Sequence, residues 1–356
     1  MDIGHRFVEA VQTAEVEQTR LRVAGDGSKR QWLPAGDGQL LVTTEHQGVV
    51  AYDPAELVLT ARCGTPIKEI TSVLAQHNQH LAFEPPQFFA SGTVGGMVAA
   101  GLSGPARPWG GSTRDAVLGI KLCNGLGEIL DFGGRVMKNV AGYDVSRLAA
   151  GSWGTLGILL EVSLRVQPMV QSTATLSFEM DASAANKYCR ELALSYSPLN
   201  GTWWNRNQLF LRLSGSSQAV EQQITDLGLS RSHLDQIWKQ ICHHDHEFFK
   251  PTYSGGPDRT AQKLWRVITP PAAPLPEHFD AENFAMEWAG GQRWWWHEDE
   301  GIVRAYAKAV GGWAHAKGEQ QKIDMRSGKY MLAIKQAFDP HGLFLSPIEN
   351  GIDHAD

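Results

Sequence analysis

The sequence predicts an α+β fold divided between two domains, and three observations predict it. The chain has 356 residues, more than one domain usually holds. Its first half alternates strand-like and helix-like hydrophobic patterns and is dense in glycine from Gly25 to Gly157. After Pro168 glycine thins, tryptophan becomes frequent, and the patterns become those of a separate α+β module.

Composition narrows the functional classes. The formal net charge is −6 and no block is rich in Lys or Arg, which argues against a nucleic-acid partner. No run reaches the roughly 18–20 apolar residues of a membrane-spanning helix. The first 19 residues carry Asp2, Glu9, Glu15 and Glu17 instead of a basic start and an apolar stretch, so we expect a cytoplasmic protein. Cys63, Cys123, Cys189 and Cys242 are widely spaced, which suits reduced, buried thiols. That spacing excludes an iron–sulfur cluster ligated wholly by this chain.

The elements follow in order. Leu57, Leu59, Ala61 and Cys63 share one strand face, opposite Val58, Thr60 and Arg62. A helix should follow at once, with Thr65 as N-cap, Pro66 in the first helical position and Ile67, Ile70 and Leu74 as its apolar stripe. Residues 117–123 and 126–132 read as two strands joined by a tight Asn124-Gly125 turn. Ile158, Leu160, Val162, Leu164 and Val166 alternate with Leu159, Glu161, Ser163 and Arg165, the pattern of a half-buried strand stopped by Pro168. Farther on, residues 174–180 and 208–213 read as strands, 184–196 and 218–227 as helices. Residues 331–338 read as a last helix, ended by Asp339-Pro340.

Four glycine-rich segments carry the chemistry. Gly25-Asp26-Gly27-Ser28-Lys29 follows a short apolar stretch. Its glycines let backbone N–H groups converge on an anion, with Ser28 and Lys29 adding a hydroxyl and a charge; the same residues also suit a plain polar turn. Ser91-Gly92-Thr93-Val94-Gly95-Gly96 opens a run of small residues against which a large flat group can lie, or it is a loop with no ligand. The others are the compact polar segment 138–144 and Gly151-Ser152-Trp153-Gly154-Thr155-Leu156-Gly157, which runs into the alternating strand. Neither is a G-x-G-x-x-G dinucleotide fingerprint, and no G-K-[ST] phosphate loop occurs.

In order and spacing these segments resemble the FAD-binding domain of the vanillyl-alcohol-oxidase/p-cresol-methylhydroxylase (PCMH) type. The likeness runs over about residues 20–170 and returns at Lys335–Pro347 with a D-P-x-G-x-F pattern. It implies a PCMH-type FAD-binding domain of two α/β subdomains over residues 1–170. An α+β cap with an antiparallel sheet would occupy 171–330, and 331–356 would return to the first domain. It implies FAD held by Gly25, Asp26, Gly27, Ser28 and Lys29 at the pyrophosphate and by Ser91, Gly92, Thr93, Gly95 and Gly96 along the cofactor. Ser103, Trp109, Gly110, Arg114 and Lys138 fall in connecting segments, and Gly151, Gly154, Thr155, Gly157 and Ile158 in the closing G-S-x-G-T-L-G-I signature. Gly96 and Gly157 are expected to matter through close approach of backbone to the flat ligand. The pyrophosphate loop holds no His, so the attachment implied is non-covalent.

The likeness is narrower with the FAD-binding E subunits of bacterial glycolate oxidases. It implies a small 2-hydroxy acid as substrate, a second flavin subunit and an iron–sulfur subunit as partners, and peripheral membrane association through them. The second half lacks the G-H-x-G-D-G-N-x-H stretch of catalytic relatives, and Gly101 stands where hydroxy-acid dehydrogenases usually have Asn. Two other readings therefore stand beside it: an FAD-binding electron relay or scaffold, and a self-sufficient D-2-hydroxy-acid dehydrogenase of the D-lactate type. No catalytic residue and no metal ligand is assigned.

Two further clusters invite a role. Cys242-His243-His244-Asp245-His246-Glu247 has metal-ligating side chains at a spacing that more naturally forms a solvated helix end. Trp294-Trp295-Trp296 is either a core strand with alternate rings buried or an exposed partner surface.

Overall fold

The computed structural model describes residues 2–32, 36–134, 144–319 and 325–345. It divides into two compact units. One comprises Met1–Ser103, Gly111–Pro168 and Gly318–Asp356, the other Gly104–Gly110 and Met169–Lys317.

The first unit begins with helix α1 (Gly4–Glu17), whose buried face is Phe7, Val11 and Ala14. Strands β1 (Leu21–Ala24) and β2 (Gln39–Val42) pair in parallel. β3 (Val49–Asp53) and β4 (Val58–Arg62) form a hairpin and lead into α2 (Ile67–Ala75). The expected stripe Ile67, Ile70 and Leu74 is buried, but the cap differs: Pro66 is the N-cap, and it offers no side-chain bond. The Thr65 hydroxyl is engaged elsewhere, accepting from Gly48 N at 2.8 Å. After the short strand β5 (Gln79–His80) comes α3 (Val94–Ala100).

β6 (Val117–Cys123) and β7 (Ile129–Gly133) are antiparallel, but no two-residue turn joins them. The loop is Asn124–Glu128, closed by Asn124 N donating to Glu128 O, and Gly127 supplies the positive φ. Gly125 serves another purpose, because a Cβ there would lie 2.4 Å from Asp339 Oδ1.

β8 (Ile158–Arg165) is the middle of a five-stranded antiparallel sheet of order β3-β4-β8-β6-β7, and β9 (Gln167–Pro168) pairs with β5. The half-buried expectation for β8 fails. One face packs Leu159, Val162 and Leu164 under α2 and α3. On the other, Ile158 and Leu160 pack in one cluster with α1, and even Glu161 and Ser163 are only 8% and 5% exposed. The polar residues are accommodated by pairing. Ser163 bonds Thr60 across the strands at 2.8 Å, and Glu161 meets Lys121 at 3.3 Å beside a cavity of about 330 Å³.

The second unit holds β10 (Ser172–Glu179), α4 (Ala182–Ala193), β11 (Leu199–Asn205), β12 (Gln208–Gly215), α5 (Ser217–Leu227) and α6 (Gln236–His243). β13 (Lys263–Ile268), β14 (Phe284–Glu287), β15 (Gln292–His297), α7 (Glu300–Ala309) and β16 (Trp313–Ala316) follow. Seven strands make one antiparallel sheet, β10-β12-β11-β14-β15-β13-β16. One face buries Trp204, Leu209, Leu211, Trp265, Phe284 and Trp295 with α4, α5 and α7. Trp294, Trp295 and Trp296 are 3%, 2% and 7% exposed, so both faces of β15 are covered and this stretch presents no partner surface. The histidine cluster is not a solvated helix end either. His244 caps α6 in a left-handed conformation and stacks on Phe249 at 4.0 Å, while His246 Nδ1 accepts from Phe248 N. Among the described residues no group of three His, Cys, Asp or Glu is placed to hold a metal ion.

The chain ends in the first unit with α8 (Met325–Phe338). Asp339, fully buried, accepts from Leu343 N at 2.9 Å and Phe344 N at 2.8 Å. Lys335 Nζ lies 2.5 Å from its Oδ2 and also donates to Thr155 O and Phe344 O. This turn sends Leu343–Leu345 alongside β1, where Leu21 N donates to Leu343 O and Leu345 N to Leu21 O. All four cysteines are free and buried.

Asp339→Ala should cost about 3–5 kcal/mol, because it leaves a half-buried ammonium and two buried amides without their acceptor. Urea unfolding checks this, and Lys335→Met combined with Asp339→Leu should recover part of the loss. A second expectation concerns pH. Burial pushes the His246 imidazole down to about 4, with Glu247 opposing and Arg206 and Lys250 assisting. The unfolded chain therefore takes up this proton first, so stability is held above about pH 6.5 and falls from there towards pH 4. His246→Phe should flatten that segment of a stability–pH curve.

Candidate functional site

Helix α3 is the meeting point of three of the four glycine segments. At its N-terminus Thr93 is the cap, accepting from Gly96 N at 3.2 Å. Gly25 abuts this residue: a Cβ on Gly25 would lie 2.2 Å from Thr93 Oγ1. Asp26 ties the two loops together, taking hydrogen bonds from Ser28 N (3.1 Å) and from the Ser91 hydroxyl. Burial alone would raise the Asp26 carboxyl, but these bonds and the Lys29 charge outweigh it and hold it below the usual range. Ser28 and Lys29 are buried. The Lys29 ammonium lies 5.9 Å from the centre of the Phe88 ring, which stacks on Trp32. It also comes within 3.4 Å of where a Gly92 Cβ would stand.

The same helix is held against β4 and the loop before α2 by backbone bonds, Gly95 N to Cys63 O and Val94 N to Thr65 O. A Cβ on Gly95 would approach Cys63 Cβ to 2.7 Å. At the C-terminus Gly101 is a left-handed cap with φ 62°. Its ideal Cβ would lie 2.8 Å from Gly151 N, so no side chain fits there. Gly151 N donates to Val98 O and Trp153 N to Ala99 O, which fixes the 151–157 segment on α3, with Gly154 beside Val23 of β1. Trp153 is held at φ 53°, an uncommon conformation for a bulky residue.

The expected site residues divide accordingly. Gly25, Asp26, Gly27, Ser28, Lys29, Ser91, Gly92, Thr93, Gly95, Gly96, Gly151 and Gly154 lie along α3 and β1. Beside Gly27 and Gly151, both at positive φ, a Cβ would meet nothing within 4 Å. Others are engaged in the fold. Ser103 Oγ accepts from Thr113 N at 3.0 Å, Thr155 accepts from Lys335 through its carbonyl, and Ile158 is packed with α1. A Cβ on Gly157, at φ 144°, would meet Cys123 O at 2.4 Å, so neighbouring backbone already requires this glycine without any ligand. Arg114 is exposed, Trp109 and Gly110 belong to the second unit, and Lys138 lies outside the described residues. The Gly101–Gly151 contact and the bond from Lys335 to Thr155 O went unread as local motifs, because each joins segments distant in sequence.

A family model described as an FAD binding domain matches residues 6–133. The chain is 12–13% identical to two solved structures of alkyldihydroxyacetonephosphate synthase, with TM-scores of 0.64 and 0.66, covering 95% of this chain and 74% of theirs. Fold and match together define an FAD-binding protein of α+β architecture, an FAD domain with a second unit built on an antiparallel sheet. The glycolate oxidase subunit GlcE of Escherichia coli is 37% identical over 349 residues, 96% of each chain. The chain belongs to the family of that subunit. Likeness to the D-2-hydroxyglutarate dehydrogenase of Xanthomonas citri (33%) and the glycolate oxidase subunit GlcD of Bacillus subtilis (31%) spans 37% and 40% of this chain, and 28% and 30% of theirs.

Gly27→Ala and Gly151→Ala should separate cofactor binding from folding. Each adds backbone strain of order 1 kcal/mol but no clash, so the flavin-to-protein ratio should fall far more than the melting temperature of the apoprotein. Gly157→Val should do the reverse, lowering the apoprotein melting temperature first.

Proposed function

We propose that this chain is the FAD-binding subunit of a glycolate oxidase, and that it works as part of a complex with a second flavin subunit and an iron–sulfur subunit. The observation that carries the reading is the likeness to the GlcE subunit over 96% of both chains. The chemistry of the α3 region supports it. A flat cofactor with a pyrophosphate needs backbone amides, a cation and open space against the main chain. The 25–29 loop offers the first, Lys29 the second, and the space beside Gly27 and Gly151 the third. Gly25–Lys29 would hold the pyrophosphate, Ser91–Gly96 the stretch beside it, and Gly151 and Gly154 the opposite edge, with no covalent bond. When bound, FAD supplies the two-electron acceptor for oxidation of a 2-hydroxy acid to a 2-oxo acid. This chain's part is to bind and orient, and to keep water from the reacting centre.

Asp26 is the residue whose role changes most on binding. Its carboxylate occupies donors, Ser28 N and the Ser91 hydroxyl, of the kind a phosphate would use. Binding would therefore exchange these contacts and turn the carboxylate outward. The cysteines lie apart and buried, which leaves cluster ligation to a partner. No helix among the described residues is long and apolar enough to cross a membrane.

Purification alone and with the co-expressed partner subunits tests the reading. About one FAD per chain should be released by heat or acid, and glycolate-dependent dye reduction should be slow or absent alone and appear in the complex. Gly27→Ala in this subunit should lower that activity in step with its flavin content. A chain unable to take up FAD, or robust glycolate oxidation by the chain alone, would sink the proposal.

A further inference from the structure

A strained tryptophan lies beside the glycine segments of the first unit. Thr155 N donates to Ser152 O at 3.0 Å, closing a four-residue turn whose central pair is Trp153 (φ 53°) and Gly154 (φ 79°). Two consecutive positive φ angles are those of the mirror-image turns that Gly, Asn and Asp dominate. Gly154 suits the turn, whereas Trp153 is strained in it. Other side chains held at left-handed φ have a plain local reason. Gln18 and His244 cap helices, and Arg206 and Asn207 form the hairpin turn between β11 and β12. Trp153 has neither role.

The turn is fixed from two sides. Trp153 N donates to Ala99 O at 2.8 Å and Gly151 N to Val98 O at 3.1 Å, which seats it on the carboxyl end of α3. Gly154 faces β1, where its ideal Cβ would lie 3.6 Å from Val23 Cβ. Val23 stands two residues before Gly25, about 7 Å along an extended strand, so the turn lies within reach of the Gly25–Lys29 loop. Gly151, two residues before Trp153, is one of the glycines beside which a Cβ would meet nothing within 4 Å. The Trp153 side chain is half-buried, and among the described residues no hydrogen bond and no aromatic ring holds its indole. Its backbone alone is anchored by hydrogen bonds.

Strain of this kind persists only where the surroundings impose it, and it collects at ligand sites. In FAD each ring system is tied to the pyrophosphate by a ribose or a ribityl chain, a link of about the reach from the Gly25–Lys29 loop to this turn. A half-exposed indole on an anchored backbone, beside open space, is a wall against which such a ring can lie. We propose that Trp153 packs its indole against a planar ring system of FAD, adenine or isoalloxazine, when the pyrophosphate occupies the Gly25–Lys29 loop. The contact draws on the large flat area that two stacked rings cover. The inference rests on the proposed function for the place of the cofactor, and adds to it the residue that holds one of the rings. The strain is what the chain bears to keep that wall in position.

The test titrates the full chain, freed of flavin, with FAD and separately with ADP, which carries the adenine and pyrophosphate alone. Trp153→Asn removes the ring and suits the turn, whereas Trp153→Phe keeps both a ring and the strain. Trp153→Asn should weaken FAD about tenfold or more, the scale of one lost stacking contact. The apoprotein melting temperature should not fall, because Asn tolerates left-handed φ and the strain relieved offsets the indole burial lost. Trp153→Phe should keep most of the affinity. Weaker ADP binding by Trp153→Asn would assign the contact to adenine. Unchanged ADP binding, with brighter bound flavin in Trp153→Phe, would assign it to isoalloxazine, because an indole in contact quenches flavin emission. Unaltered FAD affinity in Trp153→Asn would overturn the inference. So would an affinity loss that only follows a fall in melting temperature and is equally large in Trp153→Phe. A wild-type chain unable to take up FAD would overturn the proposed function as well. The expected Trp153 effects, with no glycolate turnover by the assembled complex, would overturn the functional reading alone.

Discussion

Close approach of neighbouring segments to the main chain of glycines around α3 is the constraint on which the first unit depends. Gly25 meets Thr93 at one end of the helix, Gly95 meets Cys63 along its side, and Gly101 meets Gly151 at the other end. At each contact a single Cβ would intrude to 2.8 Å or less. Because these contacts join residues about 30 to 70 positions apart, the helix brings distant segments together only by excluding side chains at all three glycines. The same exclusion leaves amide groups and space beside the loops, which is what a flat, phosphate-bearing cofactor requires.

A second constraint is electrostatic and lies at the end of the chain. Asp339 is buried, and its charge is balanced by Lys335 and by two backbone amides. Lys335 also reaches Thr155 O, so the carboxyl-terminal turn braces the segment that leaves α3 and enters β8. The loop after β6 completes the arrangement, since Gly125 gives Asp339 room and donates its N–H to Phe338 O. A buried ion pair of this kind contributes little net stability but tolerates no loss of one partner. It therefore acts as a register mark, setting where the final segment lies against β1.

The second unit is built by different means. Its sheet is lined on both faces by tryptophan, and polar groups inside it are held by explicit bonds, as Glu287, Gln292 and Arg266 are to one another. Rings of that size order their neighbours, which is how one strained turn can fix an indole between two arginines. The first unit thus offers backbone and space, and the second offers charge and rigid aromatic walls.

Much of this was legible in the residues themselves, and what was not has a common cause. The apolar stripe of α2, the strand at 158–165, the strands and helices read at 174–180, 184–196, 208–213 and 218–227, and the last helix follow from periodicity, which is local, whereas the strand Leu199–Asn205 between them went unread. The glycine segments and their likeness to FAD-binding proteins depend on order and spacing, which are also linear properties. Tertiary structure decided what lies opposite each residue. Thr65 looked like a cap until Gly48 claimed its hydroxyl, and Gly125 looked like a turn glycine until Asp339 came to lie against it. Glu161 and Ser163 alternated like solvent-facing residues, yet they are buried because Lys121 and Thr60 face them from neighbouring strands. Arg107 and Arg266 stand 159 positions apart and meet only at Trp288. Hydrophobic pattern and backbone propensity act within a few residues of one another, and the sequence alone determined what depends on them. Hydrogen-bond partners, excluded side chains and charge balance are set by contacts between distant segments, and only the folded chain could decide those.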